Sequence, residues 1–169
     1  MTDNQTLPTA YLPKDVIDNF QKAFEDKNIK GYESLFADTT THGRVFLFEP
    51  NQSAASRYAA VFSSWDNVAE SKYFLNIVNA VGSASPMTFH ITASNWNQIH
   101  PDSAQYTLDY DLSVPHNRND LKTQKFVGRS EIYMSPDKKT HTIWRIYRWV
   151  DFETKKDSSW SELKGQFAK

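Results

Sequence analysis

The sequence predicts an α+β fold in which helices from the first half of the chain cover one face of an antiparallel sheet formed by the second half. Three observations support this prediction. Apolar residues recur with helical spacing over residues 13–80. Four segments between residues 87 and 150 alternate apolar and polar side chains, which is the period of a half-buried strand. The turns between these segments are short, which favours antiparallel neighbours.

Two helices are predicted at the start of the chain. Pro13 suits the first turn of a helix. The following residues place five apolar side chains on one helix face: Val16, Ile17, Phe20, Ala23 and Phe24. Asn28 is a good N-cap for a second, short helix, because its side chain can accept a hydrogen bond from the first turn.

A short strand and two further helices are predicted before and after the four strands of the sheet. A short strand is predicted over residues 44–49, and Ser64 is the expected cap of a longer helix over residues 65–80. After the sheet, Ser159 and Glu162 have the spacing of a capping box, which predicts a C-terminal helix. So short a helix needs to dock on the domain through its apolar side chains.

The sheet is predicted to contain four strands in antiparallel order. They cover residues 87–99, 104–114, 124–134 and 140–150. Folding the second strand onto the third places Leu108 beside Ser130. Folding the third strand onto the fourth through a tight turn places Ser130 beside Trp144 and Gly128 beside Ile146.

These registers sort the side chains onto two faces. The apolar face is expected to lie under the helices and holds Phe89, Ile91, Leu108, Leu112, Phe126, Ile132, Trp144 and Ile146. The outer face holds Asp109, Asp111, Arg129, Glu131, Ile143, Arg145, Tyr147 and Trp149. Aromatic residues among charges on an outward face are typical of a partner surface, so we expect a homodimer through Tyr147 and Trp149.

Composition limits the classes of function. A chain of 169 residues with a net charge of −1 has no electrostatic case for binding nucleic acid or an anionic membrane. The absence of cysteine excludes disulfides and thiolate chemistry. We expect a flexible N-terminal segment over residues 1–12 and a single domain over residues 13–169. The sequence favours a cytoplasmic protein, with an exported protein whose leader has been removed as the alternative.

The order of elements resembles the nuclear-transport-factor-2-like, or SnoaL-like, family. The local sequence is similar in its opening helix pair and its last two strands: FQKAFEDKN (20–28), YESLFAD (32–38), GRSE (128–131) and WRIYRWVD (144–151). The resemblance implies a cone-shaped, curved antiparallel sheet whose concave face is covered by the N-terminal helices and encloses a pocket. It also implies a dimer through the convex face.

The family resemblance leaves function open, because one fold hosts many activities. The superfamily includes ketosteroid isomerase, scytalone dehydratase, limonene epoxide hydrolase, polyketide cyclases and non-catalytic binding or scaffold domains. Our leading hypothesis is a domain that binds a small apolar or aromatic molecule in the cone without catalysis. The expected ligand-binding residues are Asn95, Asn97, Tyr106, Tyr110, Ser130 and Trp144.

Two enzymatic alternatives and one non-enzymatic alternative remain. Proton transfer, as in an isomerase, dehydratase or cyclase, would pair Tyr106 or Tyr110 with a carboxylate base from Glu49, Asp66 or Glu70. Neither a cofactor nor a metal is expected, since the five histidines never pair at ligand spacing. A protein-interaction module is the other alternative, and a filled cone would favour it.

Epoxide opening would use the outward residues Asp109, Arg129 and Glu131 around a water molecule. Glu131 stands where the family pattern has an Asp, and the group faces away from the predicted pocket. A cross-strand salt bridge between Asp109 and Arg129 is the favoured interpretation.

Overall fold

The computed structural model describes residues 6–169, which contain six helices and five strands. The helices are α1 (Pro13–Glu25), α2 (Ile29–Glu33), α3 (Gln52–Arg57), α4 (Ala59–Phe62), α5 (Asn67–Val81) and α6 (Trp160–Phe167). The strands are β1 (Leu47–Glu49), β2 (Thr88–His100), β3 (Ser103–Ser113), β4 (Lys125–Pro136) and β5 (Trp144–Glu153). The predicted α+β class is confirmed. No helix in this part of the chain is long and apolar enough to cross a membrane.

The sheet has the order β1-β5-β4-β3-β2. The four long strands are antiparallel neighbours, and the short β1 adds a parallel edge beside β5, with Phe48 opposite Trp149. The sheet is therefore mixed rather than purely antiparallel. The other edge is β2, whose last eight residues are largely exposed.

The register between β3 and β4 is the predicted one, with Leu108 opposite Ser130 and Tyr110 opposite Gly128. The predicted register between β4 and β5 is wrong. Ser130 lies opposite Asp151, and Gly128 lies opposite Glu153. The hairpin does not close in a tight turn at residues 135–139, because β4 continues to Pro136.

Asp137 explains the longer hairpin. Its carboxylate accepts hydrogen bonds from the backbone amides of Thr140, Thr142 and Ile143, at 2.6, 3.1 and 3.0 Å. These bonds hold the pKa of Asp137 well below its usual range. The loop spans residues 137–143, and its length displaces the fourth strand along the third.

A bulge then exchanges the faces of β5. The β4–β5 pairing shifts between Tyr133 and Met134, which leaves one extra residue in β5 between Ile146 and Arg148. Beyond this bulge Trp149 lies opposite Ile132 on the inner face and is completely buried. The predicted outward position of Trp149 is therefore wrong, whereas Ile146 and Trp144 lie on the predicted inner face.

A second bulge acts in the same way on β2. The pairing with β3 shifts between Ile91 and Ala93, and Asn95 lies opposite Thr107 on the outer face. A further shift between Trp96 and Gln98 leaves Asn97 outside as well, where its amide donates to the Thr107 hydroxyl at 2.5 Å. The predicted inward positions of both asparagines are wrong for this reason.

Helix ends follow local capping rules. Asn28 accepts a hydrogen bond from the Gly31 amide at 2.9 Å, and Ser159 accepts one from the Glu162 amide at 3.2 Å, as predicted. The cap of α5 is Asp66 rather than Ser64, since the Asp66 carboxylate accepts from the Ala69 amide at 3.0 Å.

The N-terminal segment packs on the domain where it is described. The Ala10 carbonyl accepts a hydrogen bond from the Trp144 amide at 2.8 Å, and the Pro8 carbonyl accepts one from the Asn19 side chain at 2.8 Å. This part of the predicted flexible segment is thus anchored at two points. Residues 1–5 of that segment lie outside the described residues.

The core lies between the helices and the inner face of the sheet. Trp160 of α6 is at its centre, with ring centroids 5.3 Å from Phe20, 5.0 Å from Phe89 and 4.7 Å from Trp149. Aromatic contacts of this kind stabilise a core beyond the area that they bury. The C-terminal helix is therefore part of the interior and not a surface appendage.

The Gly128→Ala variant should lose about 1–3 kcal/mol of unfolding free energy, because overpacking forces the core to shift. A Cβ at residue 128 would overlap the Tyr110 hydroxyl and lie 2.9 Å from the Phe152 carbonyl oxygen. Urea unfolding is the measurement. The same change made in a Tyr110→Phe background should cost less, and an unchanged cost there would show that the Tyr110 hydroxyl is not the obstacle.

Candidate functional site

The interior of the domain contains an ion pair between Glu70 of α5 and Lys164 of α6. The Lys164 ammonium lies 2.8 Å from one carboxylate oxygen of Glu70 and 2.7 Å from the other. Both side chains are buried, with exposures of 1% and 0%. Removing two charges from water is costly, so the surroundings must supply further partners for both groups.

Glu70 receives those partners directly from two aromatic residues, and a third supports one of them. The Trp65 indole donates to one oxygen at 2.7 Å, and the Tyr32 hydroxyl donates to the other at 2.8 Å. Tyr73 hydrogen-bonds to the Tyr32 hydroxyl and accepts from the Trp160 indole at 3.2 Å. Since Tyr32 gives its proton to Glu70, Tyr73 gives its own to Tyr32, and the chain of donors ends on the carboxylate. Burial raises the pKa of Tyr32 and Tyr73, which keeps both neutral.

Lys164 is surrounded by aromatic faces. Its ammonium lies 3.6 Å from the ring centroids of both Phe48 and Trp149, with Tyr73 at 5.2 Å and Trp65 at 5.6 Å. Ring quadrupoles attract a cation at these distances, and more strongly when water is excluded. Burial lowers the pKa of Lys164 to about 8, against the opposing effect of the Glu70 charge.

A second buried carboxylate, Asp151 of β5, binds the start of α6. The backbone amide and hydroxyl of Ser161 donate to one oxygen at 2.7 and 2.5 Å. Tyr110 and Ser130 donate to the other at 2.8 and 3.1 Å. Burial raises the pKa of Asp151, and its hydrogen bonds, those from Ser161 foremost, oppose that shift. Because the Tyr110 hydroxyl accepts from the Trp160 amide at 2.6 Å, its proton is directed to Asp151.

These two carboxylates define the chemistry of the interior. Each is fully satisfied by donors from the chain itself, and neither side chain reaches solvent. A general base needs a free lone pair within reach of a substrate proton. In this conformation the groups bind α6 to the rest of the domain rather than present an acid or base to a ligand.

The predicted ligand-binding residues separate into four places. Tyr110 and Ser130 lie inside, on Asp151. Tyr106 is buried near the start of β3, where its ring centroid is 4.5 Å from that of Trp96. Trp144 and the outward asparagines lie elsewhere, so the six residues do not surround one cavity. Their role in ligand binding stays a prediction.

Trp144 borders a surface groove of about 290 Å³ between the N-terminal segment, α2 and the start of β5. The groove has both apolar and polar walls, formed among others by Leu7, Lys30, Ser34 and Ile143. Of the six predicted residues only Trp144 lines this groove. Asn95 instead lines a shallow outer depression of about 180 Å³ next to the Asp109–Arg129 pair.

On the outer face, Asp109 forms a salt bridge with Arg129. Arg129 donates to both oxygens of Asp109, at 2.6 and 3.1 Å, with the two side chains 53% and 31% exposed. The favoured cross-strand interpretation is thus confirmed. A pair this exposed contributes under about 1 kcal/mol. Among residues 6–169 no three His, Asp or Glu side chains lie together as a potential metal site.

Sequence reasoning considered Glu70 only as one of three potential bases and did not consider Lys164. The sequence nevertheless indicates that both residues lie on buried helix faces. Lys164 is four residues after Trp160 and three before Phe167, and so shares their helix face. Glu70 is three residues before Tyr73 on the buried face of α5. A charged residue inside an apolar stripe is expected to be buried with a partner of opposite charge, although the sequence does not say which partner it has.

Comparison with known proteins identifies the fold. No protein-family model matches the chain, and no curated protein sequence matches it. Solved structures do match over most of its length. An uncharacterised protein with a cystatin-like fold from Caulobacter vibrioides is 11% identical, with a TM-score of 0.56 over 85% of this chain and 88% of that one.

The chain has the nuclear-transport-factor-2-like fold. A nuclear-transport-factor-2-like superfamily protein from Salmonella enterica is 15% identical, with a TM-score of 0.51 over 84% of this chain and 89% of that one. A candidate scytalone dehydratase from Novosphingobium aromaticivorans is 9% identical, with a TM-score of 0.58 over 82% and 78%. At such low identity the nuclear-transport-factor-2-like fold is shared but no activity follows from it.

The Lys164→Met variant should lose about 3–5 kcal/mol of unfolding free energy, since it leaves the Glu70 charge buried without its counter-ion. The double variant with Glu70→Gln should lose less than Lys164→Met alone, because it removes both charges together. Denaturant unfolding of the two single variants and the double variant measures the coupling. Costs that simply add would contradict a directly coupled pair.

Stability should rise with pH between about 8 and 10 because of Lys164. Its pKa is about 8 in the folded state and 10.5 without burial, so the unfolded chain binds more protons in this window. The rise cannot exceed about 1.4 kcal/mol per pH unit for one group. Denaturant titrations of the wild type and of the Glu70→Gln, Lys164→Met double variant measure it. Equal pH slopes in the two proteins would show that Lys164 does not titrate in this way.

Proposed function

We propose that this domain is a non-catalytic interaction module that associates through the outer face of its sheet. One observation supports this above the others: the chain's own side chains fill the interior of the cone. Trp149, Trp160 and Lys164 are completely buried there, and their polar atoms are paired within the domain. Because a small-molecule site needs a cavity, a domain whose interior is filled is better suited to binding a partner on its outer surface.

The outer face carries a group of aromatic and basic side chains near β1, which we call the outer patch: Arg44, Leu47, Tyr133, Tyr147 and Arg148. The Arg44 guanidinium lies 5.0 Å from the Tyr147 ring centroid, and the Arg148 guanidinium lies 4.8 Å from that of Tyr133. Leu47 is 54% exposed. Tyrosine and arginine are enriched at the centres of protein interfaces, and Leu47 adds exposed apolar area beside them.

We propose a second copy of this chain as the partner. The outer face carries both signs of charge, with Asp109 and Glu131 on the middle strands and Arg129 and Arg148 beside them. A two-fold axis brings the same patch together from both subunits, and a surface with both signs can be complementary to itself. The proposal keeps the predicted homodimer with Tyr147 at its interface, but Trp149 is no longer part of that interface.

The Tyr147→Glu variant should shift the protein from dimer toward monomer, because a carboxylate would be buried without a partner at the interface. Sedimentation velocity over a range of protein concentrations measures the change. The Val68→Glu variant is the control, since Val68 is 73% exposed on α5, in the helical layer. A wild type that is monomeric at every concentration, or a dimer that survives Tyr147→Glu, would contradict the proposal.

A proton-transfer enzyme is the second candidate. The observation that favours it is the pairing of a tyrosine with a buried carboxylate, Tyr32 with Glu70 and Tyr110 with Asp151. This candidate, like the small-molecule hypothesis, requires α6 to leave the interior. Native mass spectrometry of the purified protein separates them from the first proposal: a stoichiometric bound molecule would favour a ligand site.

A further inference from the structure

The environment of Lys164 has the composition of a receptor for an organic cation. The ring centroids of Phe48 and Trp149 both lie 3.6 Å from the ammonium nitrogen, and both carboxylate oxygens of Glu70 contact that nitrogen. Aromatic faces and a carboxylate around one point are the elements that proteins use to recognise ammonium ligands. Here the cation is part of the chain itself.

The receptor favours a primary ammonium group. Lys164 uses its N–H bonds to reach both oxygens of Glu70, at 2.8 and 2.7 Å. A quaternary ammonium has no N–H donor, and its methyl groups would need space where the ring centroids of Phe48 and Trp149 lie 3.6 Å away. The site therefore fits an unbranched primary alkylammonium.

The remainder of α6 keeps this cation in place. Ser161 is bound to Asp151 of the sheet, and the Ser159 hydroxyl donates to the Asn51 side chain at 2.5 Å. Trp160 packs in the aromatic core. These contacts hold the lysine at high effective concentration, as a tethered ligand.

We propose that Glu70 and the surrounding aromatic rings form a receptor for primary alkylammonium groups, and that Lys164 is its intramolecular ligand. The helix α6 closes the receptor by delivering this side chain. The receptor has the same properties whether or not the outer patch forms a dimer, so its test is independent of the proposed function.

The Lys164→Ala variant tests the receptor directly. It removes three methylene groups and the ammonium nitrogen of lysine, which match the three carbons and the nitrogen of propylammonium, while alanine preserves the helical propensity of α6. Added propylammonium should raise the thermal midpoint of this variant progressively with concentration, because a ligand that binds the folded state stabilises it. The wild type serves as the control for general salt effects and should show no such rise.

Selectivity distinguishes a receptor from a simple cavity. Neither 1-propanol nor propyltrimethylammonium should reproduce the rise, since each lacks the charged N–H donors. Adding Glu70→Gln to Lys164→Ala should weaken propylammonium binding by roughly tenfold or more, as expected for lost charge-assisted hydrogen bonds. A folded Lys164→Ala protein that gains as much from 1-propanol as from propylammonium, or nothing from either, would overturn the proposal.

A second variant covers the case in which Lys164→Ala does not fold. The natural chain has no cysteine, so Lys164→Cys would carry the only thiol. Alkylation in denaturant with 2-bromoethylamine rebuilds a lysine analogue, and alkylation with 1-iodopropane builds its neutral counterpart. After refolding, the aminoethyl protein should have the higher unfolding midpoint. An equal or higher midpoint for the propyl protein would show that the site does not prefer an ammonium.

Discussion

The buried pair of Glu70 and Lys164 is the interaction on which the interior of this domain depends. An ion pair without water is stabilising only when its remaining hydrogen-bonding capacity is also satisfied. Trp65 and Tyr32 satisfy the carboxylate, and the ring of Trp149 faces the ammonium. The pair therefore orients the side chains of Tyr32, Trp65 and Trp149. It also joins α5 to α6.

Asp151 complements this pair by joining α6 to the sheet. Its four donors come from β3, β4 and the first turn of α6, so one carboxylate holds three elements together. The absence of a Cβ at Gly128 leaves room for the Tyr110 hydroxyl to reach Asp151. Buried polar networks in which every member is satisfied make a core rigid and specific, which accounts for a helix of only eight residues docking so deeply.

The filled interior separates this domain from what its fold alone suggests. A cone-shaped fold can enclose a ligand, and the sequence favours that use of it. Here the tryptophan and lysine side chains of α6 and β5 occupy that volume. The interaction module that we propose uses the outer patch, whereas the ligand-binding and enzymatic candidates require release of α6. These two options differ in their physical cost, because release exposes two buried carboxylates and a large aromatic surface.

The sequence by itself determined the α+β class, the helix caps at Asn28 and Ser159, and the β3–β4 register. Each of these follows from residues that are neighbours in the sequence or from the hydrophobic periodicity of a short segment. Even the burial of charges at Glu70 and Lys164 could be read from the apolar stripes around them.

Only the tertiary structure decided which residues face the interior in β2 and β5. A β-bulge shifts a strand by one residue, and one residue exchanges its faces, so Asn95 moves outward and Trp149 moves inward. Bulges have no reliable signature in local alternation. The pairing of Glu70 with Lys164 is likewise tertiary, because 94 residues separate them and docking of α6 alone brings them together.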